Sequence, residues 1–98
     1  MMLVLMERAK PAGFDLGNAD EVAWHCRRAV QSIAASGGEV HWLTTYATED
    51  DRLLGVLAIE GRAALDAYLE RAGVAGEVKL TRIVRRLDPS MAAPAAGR

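Results

Sequence analysis

The order in which two hydrophobic periodicities alternate along this chain of 98 residues constrains its fold more than any other feature. Apolar residues recur with the period of an α-helix in two segments, one beginning at Asn18 and one at Gly61. Four further segments have the apolar or alternating character of strands: residues 2–7, 39–48, 52–59 and 78–87. The pattern therefore predicts the order strand, helix, strand, strand, helix, strand.

The first helix has signals at both of its ends. Asn18 can cap its N-terminus, and Glu21, three positions later, completes the reciprocal hydrogen bonding of a capping box. Gly37 and Gly38 are expected to end it, since glycine accepts the left-handed conformation that follows a last turn. Its apolar face consists of Val22, Cys26, Ala29, Val30 and Ile33. In the second helix, over 61–72, the buried face consists of Leu65, Tyr68, Leu69 and Ala72.

Residues 39–59 are expected to form an antiparallel hairpin around a short, solvated acidic turn, 49–51. Regular alternation in its first strand predicts one face formed by Val40, Trp42, Thr44 and Tyr46. The opposite face then contains His41, Leu43, Thr45 and Ala47. Gly55, in the second strand, predicts a bulge or a close approach of neighbouring backbone.

The predicted order is typical of an α+β ferredoxin-like sandwich, a four-stranded antiparallel sheet with both helices on one face. Residues 1–89 are expected to form this single domain, and residues 90–98, rich in Ala, Pro and Gly, a flexible tail. The second face of the sheet also contains aliphatic and aromatic residues, but no helix remains to cover it. We therefore expect a homodimer in which two sheets cover each other, as in a dimeric α+β barrel.

Composition excludes several classes of partner. Twelve basic and 13 acidic residues give a net charge of -1, so no affinity for nucleic acid is expected. The longest apolar run, 53–59, is far shorter than the roughly 20 residues that span a bilayer, so no membrane partner is expected. The single cysteine cannot form an internal disulfide, and the N-terminus lacks the features of a signal peptide. These observations favour the cytoplasm.

Few side chains combine into a catalytic or metal-binding pattern. His25 and Cys26 are adjacent on a helix, so their side chains diverge and do not converge on one ion. His41 has no second histidine or cysteine at a ligand spacing. No phosphate-binding loop, nucleophile elbow or paired-histidine motif occurs, so we predict neither a metal site nor a cofactor. Trp24 is expected to project away from the apolar face of its helix, where it would pack on a loop, meet a protein partner or contact a small molecule.

Two functions from different classes fit this pattern. The first is binding of a small molecule or a protein partner without catalysis, with Trp42, Tyr46 and Tyr68 lining the site and His41 beside them. The second is an enzyme of the dimeric α+β barrel type that acts on a hydrophobic substrate. His41 would then be its acid or base, provided that it points into an enclosed apolar cavity.

Several short motifs resemble a family of ferredoxin-like proteins, the domain of unknown function 4242. They are VHWLTTYATED at 40–50, Ala-Gly at 72–73, Ile-Val at 83–84 and Asp-Pro at 88–89. The resemblance implies the fold and the dimer, and since the family includes a nickel-binding protein, it makes nickel binding a second alternative. The histidines of the family correspond here to Thr44 and Tyr68, and its cysteine to Leu54 or Gly55. His41 and Cys26 do not take those positions, so the resemblance assigns no metal ligand in this chain.

Overall fold

Four strands and two helices follow one another in the predicted order in the computed structural model, which describes residues 1–92. The strands are β1 (Met2–Ala9), β2 (Val40–Ala47), β3 (Arg52–Ile59) and β4 (Lys79–Ile83). The helices are α1 (Ala19–Ala34) and α2 (Arg62–Ala72). Neighbouring strands are antiparallel in the order β2-β3-β1-β4, which confirms the predicted α+β class and sheet.

The end of the described chain differs from the expected tail. A short 3-10 helix, Pro89–Ala92, follows β4. The remaining residues of the predicted flexible tail, 93–98, lie outside the described residues. Within residues 1–92, neither helix combines the length and apolar content that crossing a bilayer would require.

The N-terminus of α1 is capped largely as the sequence predicts. The Asn18 Oδ1 atom accepts hydrogen bonds from the backbone N–H groups of Asp20, at 3.0 Å, and Glu21, at 3.1 Å. The Glu21 carboxylate does not complete a reciprocal capping box; it accepts a hydrogen bond from the backbone N–H of Asp15, at 3.0 Å. Glu21 therefore connects α1 to the loop that precedes it.

The core lies between α2 and the sheet. Its buried members come from β1, β2, β3 and α2: Val4, Val40, Leu57, Ile59, Leu65, Tyr68 and Leu69. The predicted buried face of α2 is thus confirmed for Leu65, Tyr68 and Leu69, while Ala72 is partly buried against them. Helix α1 contributes no buried residue, and Val30, expected on its apolar face, is 56% exposed. Helix α1 packs along α2 and β2 and does not approach the two central strands, β1 and β3.

Strand β2 contains a bulge that changes which residues share a face. Trp42 pairs with Leu57 and Thr44 pairs with Val56, so Leu43 is an extra residue in β2. Beyond Leu43 the alternation shifts by one position, and Thr45, not Thr44, lies on the same face as Trp42. The Trp42 Nε1–H donates a hydrogen bond of 2.8 Å to the Thr45 hydroxyl. The prediction of one face shared by Trp42, Thr44 and Tyr46 is therefore wrong.

The atoms nearest to Gly55 belong mainly to side chains, so the predicted close approach of neighbouring backbone is not what requires this glycine. Gly55 pairs with Met6 on one side and Thr45 on the other. A Cβ atom at Gly55 would lie 3.2 Å from the Thr45 hydroxyl oxygen, closer than an ordinary van der Waals contact. The irregularity of the hairpin thus lies in β2, and glycine in β3 gives Thr45 its space.

Strand β4 is shorter than the predicted segment 78–87. Its ladder with β1 ends where Ile83 pairs with Leu3, one residue from the start of β1. Residues after Ile83 therefore extend past the sheet without a neighbouring strand. Val84 and Leu87 are 89% and 79% exposed as a result.

One face of the sheet, here called the open face, has no helix over it within residues 1–92. Both helices lie on the side of Val4 and Leu57. Strand alternation and register place the following apolar side chains on the open face: Leu3, Leu5, Leu54, Val56 and Ile83. An antiparallel sheet with apolar residues on both faces needs a further covering layer.

Replacing Leu65 with alanine tests the role of α2 in the core. Leu65 is 0% exposed, so Leu65→Ala should lower the free energy of unfolding by about 2–5 kcal/mol. The matched variant Leu43→Ala removes the same atoms from a residue that is 56% exposed. It should change the free energy of unfolding by less than about 0.5 kcal/mol. Urea denaturation followed by circular dichroism measures both. Equal losses would contradict this description of the core.

Candidate functional site

A cavity of about 410 Å³ lies between α1 and the sheet. It exists because α1 packs on α2 and β2 and does not cover the part of the central strands that lies beneath it. The wall formed by α1 contains Val22, Cys26, Ala29 and Ile33. Four of the five residues that the sequence assigns to the apolar face of α1 therefore face this cavity, where they remain partly exposed.

The sheet forms the floor of the cavity. Met6, Trp42 and Leu57 supply apolar surface there, and Gly55 supplies none beyond its backbone. Since Gly55 has no side chain, the Thr45 hydroxyl can lie beside it, 3.2 Å from where a Cβ atom would be. The hydrogen bond from Trp42 to Thr45 satisfies the indole N–H and leaves the ring as apolar lining.

The loop between β1 and α1 borders the cavity through Phe14 and Leu16. The Phe14 ring stacks on the His25 ring, with centroids 3.9 Å apart and planes 25° from parallel. The Lys10 ammonium donates a hydrogen bond of 2.7 Å to the Phe14 carbonyl oxygen. These contacts fix the loop to the N-terminal half of α1.

Trp24 lies outside the cavity but continues this aromatic group. Its ring meets His25 edge to face, with centroids 4.8 Å apart. The Arg28 guanidinium lies 4.9 Å from the centroid of the Trp24 ring, within the range of a cation–π interaction. The exposed tryptophan thus packs on its own helix and on the histidine that holds the loop.

The polar groups that residues 1–92 contribute to the cavity are few and include no carboxylate. They belong to Arg8, His25, Cys26, Thr45 and Tyr68. Burial raises the pKa of the Tyr68 hydroxyl, although the positive charges of Arg8 and Arg71 oppose part of that rise. The Tyr68 hydroxyl is therefore protonated near neutral pH and can donate a hydrogen bond.

The cavity does not offer the donor set of a metal centre. Within residues 1–92, no group of three or more His, Cys, Asp or Glu side chains is close enough to hold an ion. His25 and Cys26 both line the cavity. Two such donors are fewer than the four of a tetrahedral or square-planar site.

The structure brings together two of the four residues predicted to line a site. Trp42 and Tyr68 line the cavity, whereas His41 and Tyr46 lie on the open face. Tyr46 is separated from Trp42 because of the bulge at Leu43. His41 is exposed, so it cannot act as the acid or base of this cavity.

Arg8 lines the cavity but was not predicted from the sequence as a residue of a site. Alternation along β1 places it on the same face as Val4 and Met6, and its partner across the ladder is Leu53. The signal was available, since a charged residue ends a run of alternate apolar positions. Phe14 gave no such signal, because its place depends on how the loop folds back on His25.

No protein-family model matches this chain, and no curated protein matches it significantly. Among solved structures, SCO4226 from Streptomyces coelicolor A3(2) is similar with a TM-score of 0.58 and 16% identity, over 87% of this chain and 99% of that one. Rv0793 from Mycobacterium tuberculosis gives a TM-score of 0.41 and 16% identity, over 91% of this chain and 99% of that one. The similarity to SCO4226 shows a shared fold.

The raised pKa of Tyr68 predicts a loss of stability at alkaline pH. The folded protein holds this proton more tightly than the unfolded chain, whose tyrosines ionise near pH 10, so the free energy of unfolding falls as the pH rises above about 10. Tyr68→Phe should reduce that fall. Tyr46→Phe should retain it, because Tyr68 is still present. Urea denaturation at pH about 8 and about 11 measures the difference; the same pH dependence in both variants would contradict it.

Proposed function

We propose that this protein is a cytoplasmic homodimer that binds a small, largely apolar molecule in the cavity between α1 and the sheet, without catalysing its conversion. The observation that carries the proposal is the cavity itself. Its volume of about 410 Å³ falls within the range of small-molecule sites, about 300–1,000 Å³. Its lining is mostly apolar and aromatic, with a few polar groups, as such sites usually are.

The incomplete burial of the apolar face of α1 supports the proposal that a molecule binds there. A surface helix normally buries its apolar face against the core, because that burial stabilises it. Helix α1 has the apolar face but no buried residue. A ligand in the cavity would cover Val22, Cys26 and Ala29 and complete the missing burial.

The polar groups favour binding over catalysis. A nucleophilic thiol needs an adjacent base within hydrogen-bond reach. Cys26 and His25 follow each other on α1, but no hydrogen bond joins them in the part of the chain described. Cys26 therefore lines the cavity as a small apolar side chain. Because a single cysteine cannot form an internal disulfide, it is also compatible with the cytoplasmic location that we propose.

The open face supports the homodimer. Leu5 and Val56 lie at its centre, on adjacent strands, and no element of residues 1–92 covers them. A second copy related by a two-fold axis presents the same apolar face and would cover it with complementary chemistry. The cavity lies on the opposite side of the sheet, so dimerisation would leave it accessible.

The neutral fluorescent dye N-phenylnaphthylamine tests binding in the cavity. We expect one dye per chain, with the rise in fluorescence of an apolar site. Ala29→Phe should weaken binding by at least about tenfold, because the new ring fills space that the dye needs. The matched variant Ala34→Phe, at an exposed position of the same helix, should bind like the unchanged protein. Failure of the dye to bind, or equal binding by both variants, would overturn the proposed site.

Analytical ultracentrifugation tests the dimer. The protein should sediment with the mass of two 10.5-kDa chains. Val56→Asp places a carboxylate at the centre of the open face and should give single chains, since the unpaired charge would be buried in the interface. Val30→Asp, on the exposed side of α1, should remain dimeric. A single-chain mass for the unchanged protein would refute this assembly.

A further inference from the structure

We infer that the molecule bound in the cavity is an apolar organic anion, whose acidic group pairs with the guanidinium of Arg8. This inference rests on the proposed function and adds to it the charge of the ligand. It follows from where Arg8 lies, from what surrounds it and from what it does not contact.

Arg8 lies on the cavity side of the sheet by the register of β1. Its partner across the ladder with β3 is Leu53, which also lines the cavity. Glu7, the nearest acidic residue along the chain, points to the opposite face because side chains alternate along a strand. The strand thus separates Arg8 from the carboxylate beside it in sequence.

No carboxylate inside the described part of the chain neutralises Arg8. The ion pairs of residues 1–92 are Arg62 with Asp66 and Arg86 with Asp88, and both are on the surface. Among the described residues, no aspartate or glutamate lines the cavity. A half-buried cation among apolar side chains is costly unless it is paired, so an anionic ligand would be stabilised there and a cationic one excluded.

Tyr68 provides a second donor for the same group. Arg8 and Tyr68 both line the cavity, and the charge of Arg8 partly offsets the rise in the pKa of the Tyr68 hydroxyl that burial causes. The guanidinium and a protonated phenol can then both donate hydrogen bonds to one carboxylate or sulfonate. Arginine suits this task because its planar N–H groups match the two oxygens of such an anion.

The apolar part of the ligand would occupy the space between α1 and the floor. Phe14 and Trp42 supply aromatic surface there, and Gly55 adds no side chain to the floor. The site therefore combines one cationic position with apolar walls, which is the pattern that an aromatic or acyl acid requires.

Two dyes that differ by one acidic group test the inference. Anilinonaphthalene sulfonate has the ring system of N-phenylnaphthylamine with a sulfonate added. Arg8→Met should lower the affinity for the anionic dye by about tenfold or more, since a charge-assisted hydrogen bond is lost. The affinity for the neutral dye should stay the same or rise. Arg8→Lys should retain part of the preference for the anion.

Arg82→Met is the matched control, because Arg82 is an exposed arginine of β4 that does not line the cavity. It should not change the ratio of the two affinities. An unchanged ratio in Arg8→Met overturns the inference, even if both dyes bind. Failure of the neutral dye to bind, or its insensitivity to Ala29→Phe, overturns the proposed function instead. Binding of the neutral dye by Arg8→Met also shows that the variant has folded.

Discussion

The packing of α2 on the sheet is the contact on which the other features depend. Leu65 and Leu69, one turn apart, form a single buried cluster with Val4 and Ile59 of the central strands. Full burial of a leucine contributes about 1.5–3 kcal/mol, so this cluster supplies much of the stability of so small a chain. Helix α1 contacts α2 and β2 but not the central strands. The cavity is the space that remains between α1 and those strands.

The elements themselves could be predicted from periodicity. The face of α2 was predicted residue by residue, because Leu65, Tyr68 and Leu69 are large side chains that can only be accommodated in a core. The periodicity of α1 was equally clear, but it could not show how closely the helix approaches the strands. A valine produces the same pattern whether a neighbour or empty space faces it, so neither the exposure of Val30 nor the cavity followed from the pattern.

The bulge had no sequence signal of its own. Leu43 is as compatible with a strand as its neighbours, and only the pairing with β3 shows that one residue is extra. A shift of one position reverses every later side chain, which is why Trp42 was placed correctly and Tyr46 was not. The length of β4 was overestimated for a related reason, since its end depends on where its partner β1 begins rather than on Val84 or Leu87.

The position of this bulge also affects how the protein can change during evolution. Trp42 and Thr45 belong to the cavity, whereas Thr44 and Tyr46, their neighbours in sequence, belong to the opposite surface. Substitutions at Trp42 or Thr45 can thus alter the lining of the cavity without changing the open face. Substitutions at Thr44 or Tyr46 can alter the open face without changing the cavity. Deletion of the extra residue, Leu43, would restore regular alternation and keep Trp42 opposite Leu57 and Thr44 opposite Val56, so each surface would retain its residues.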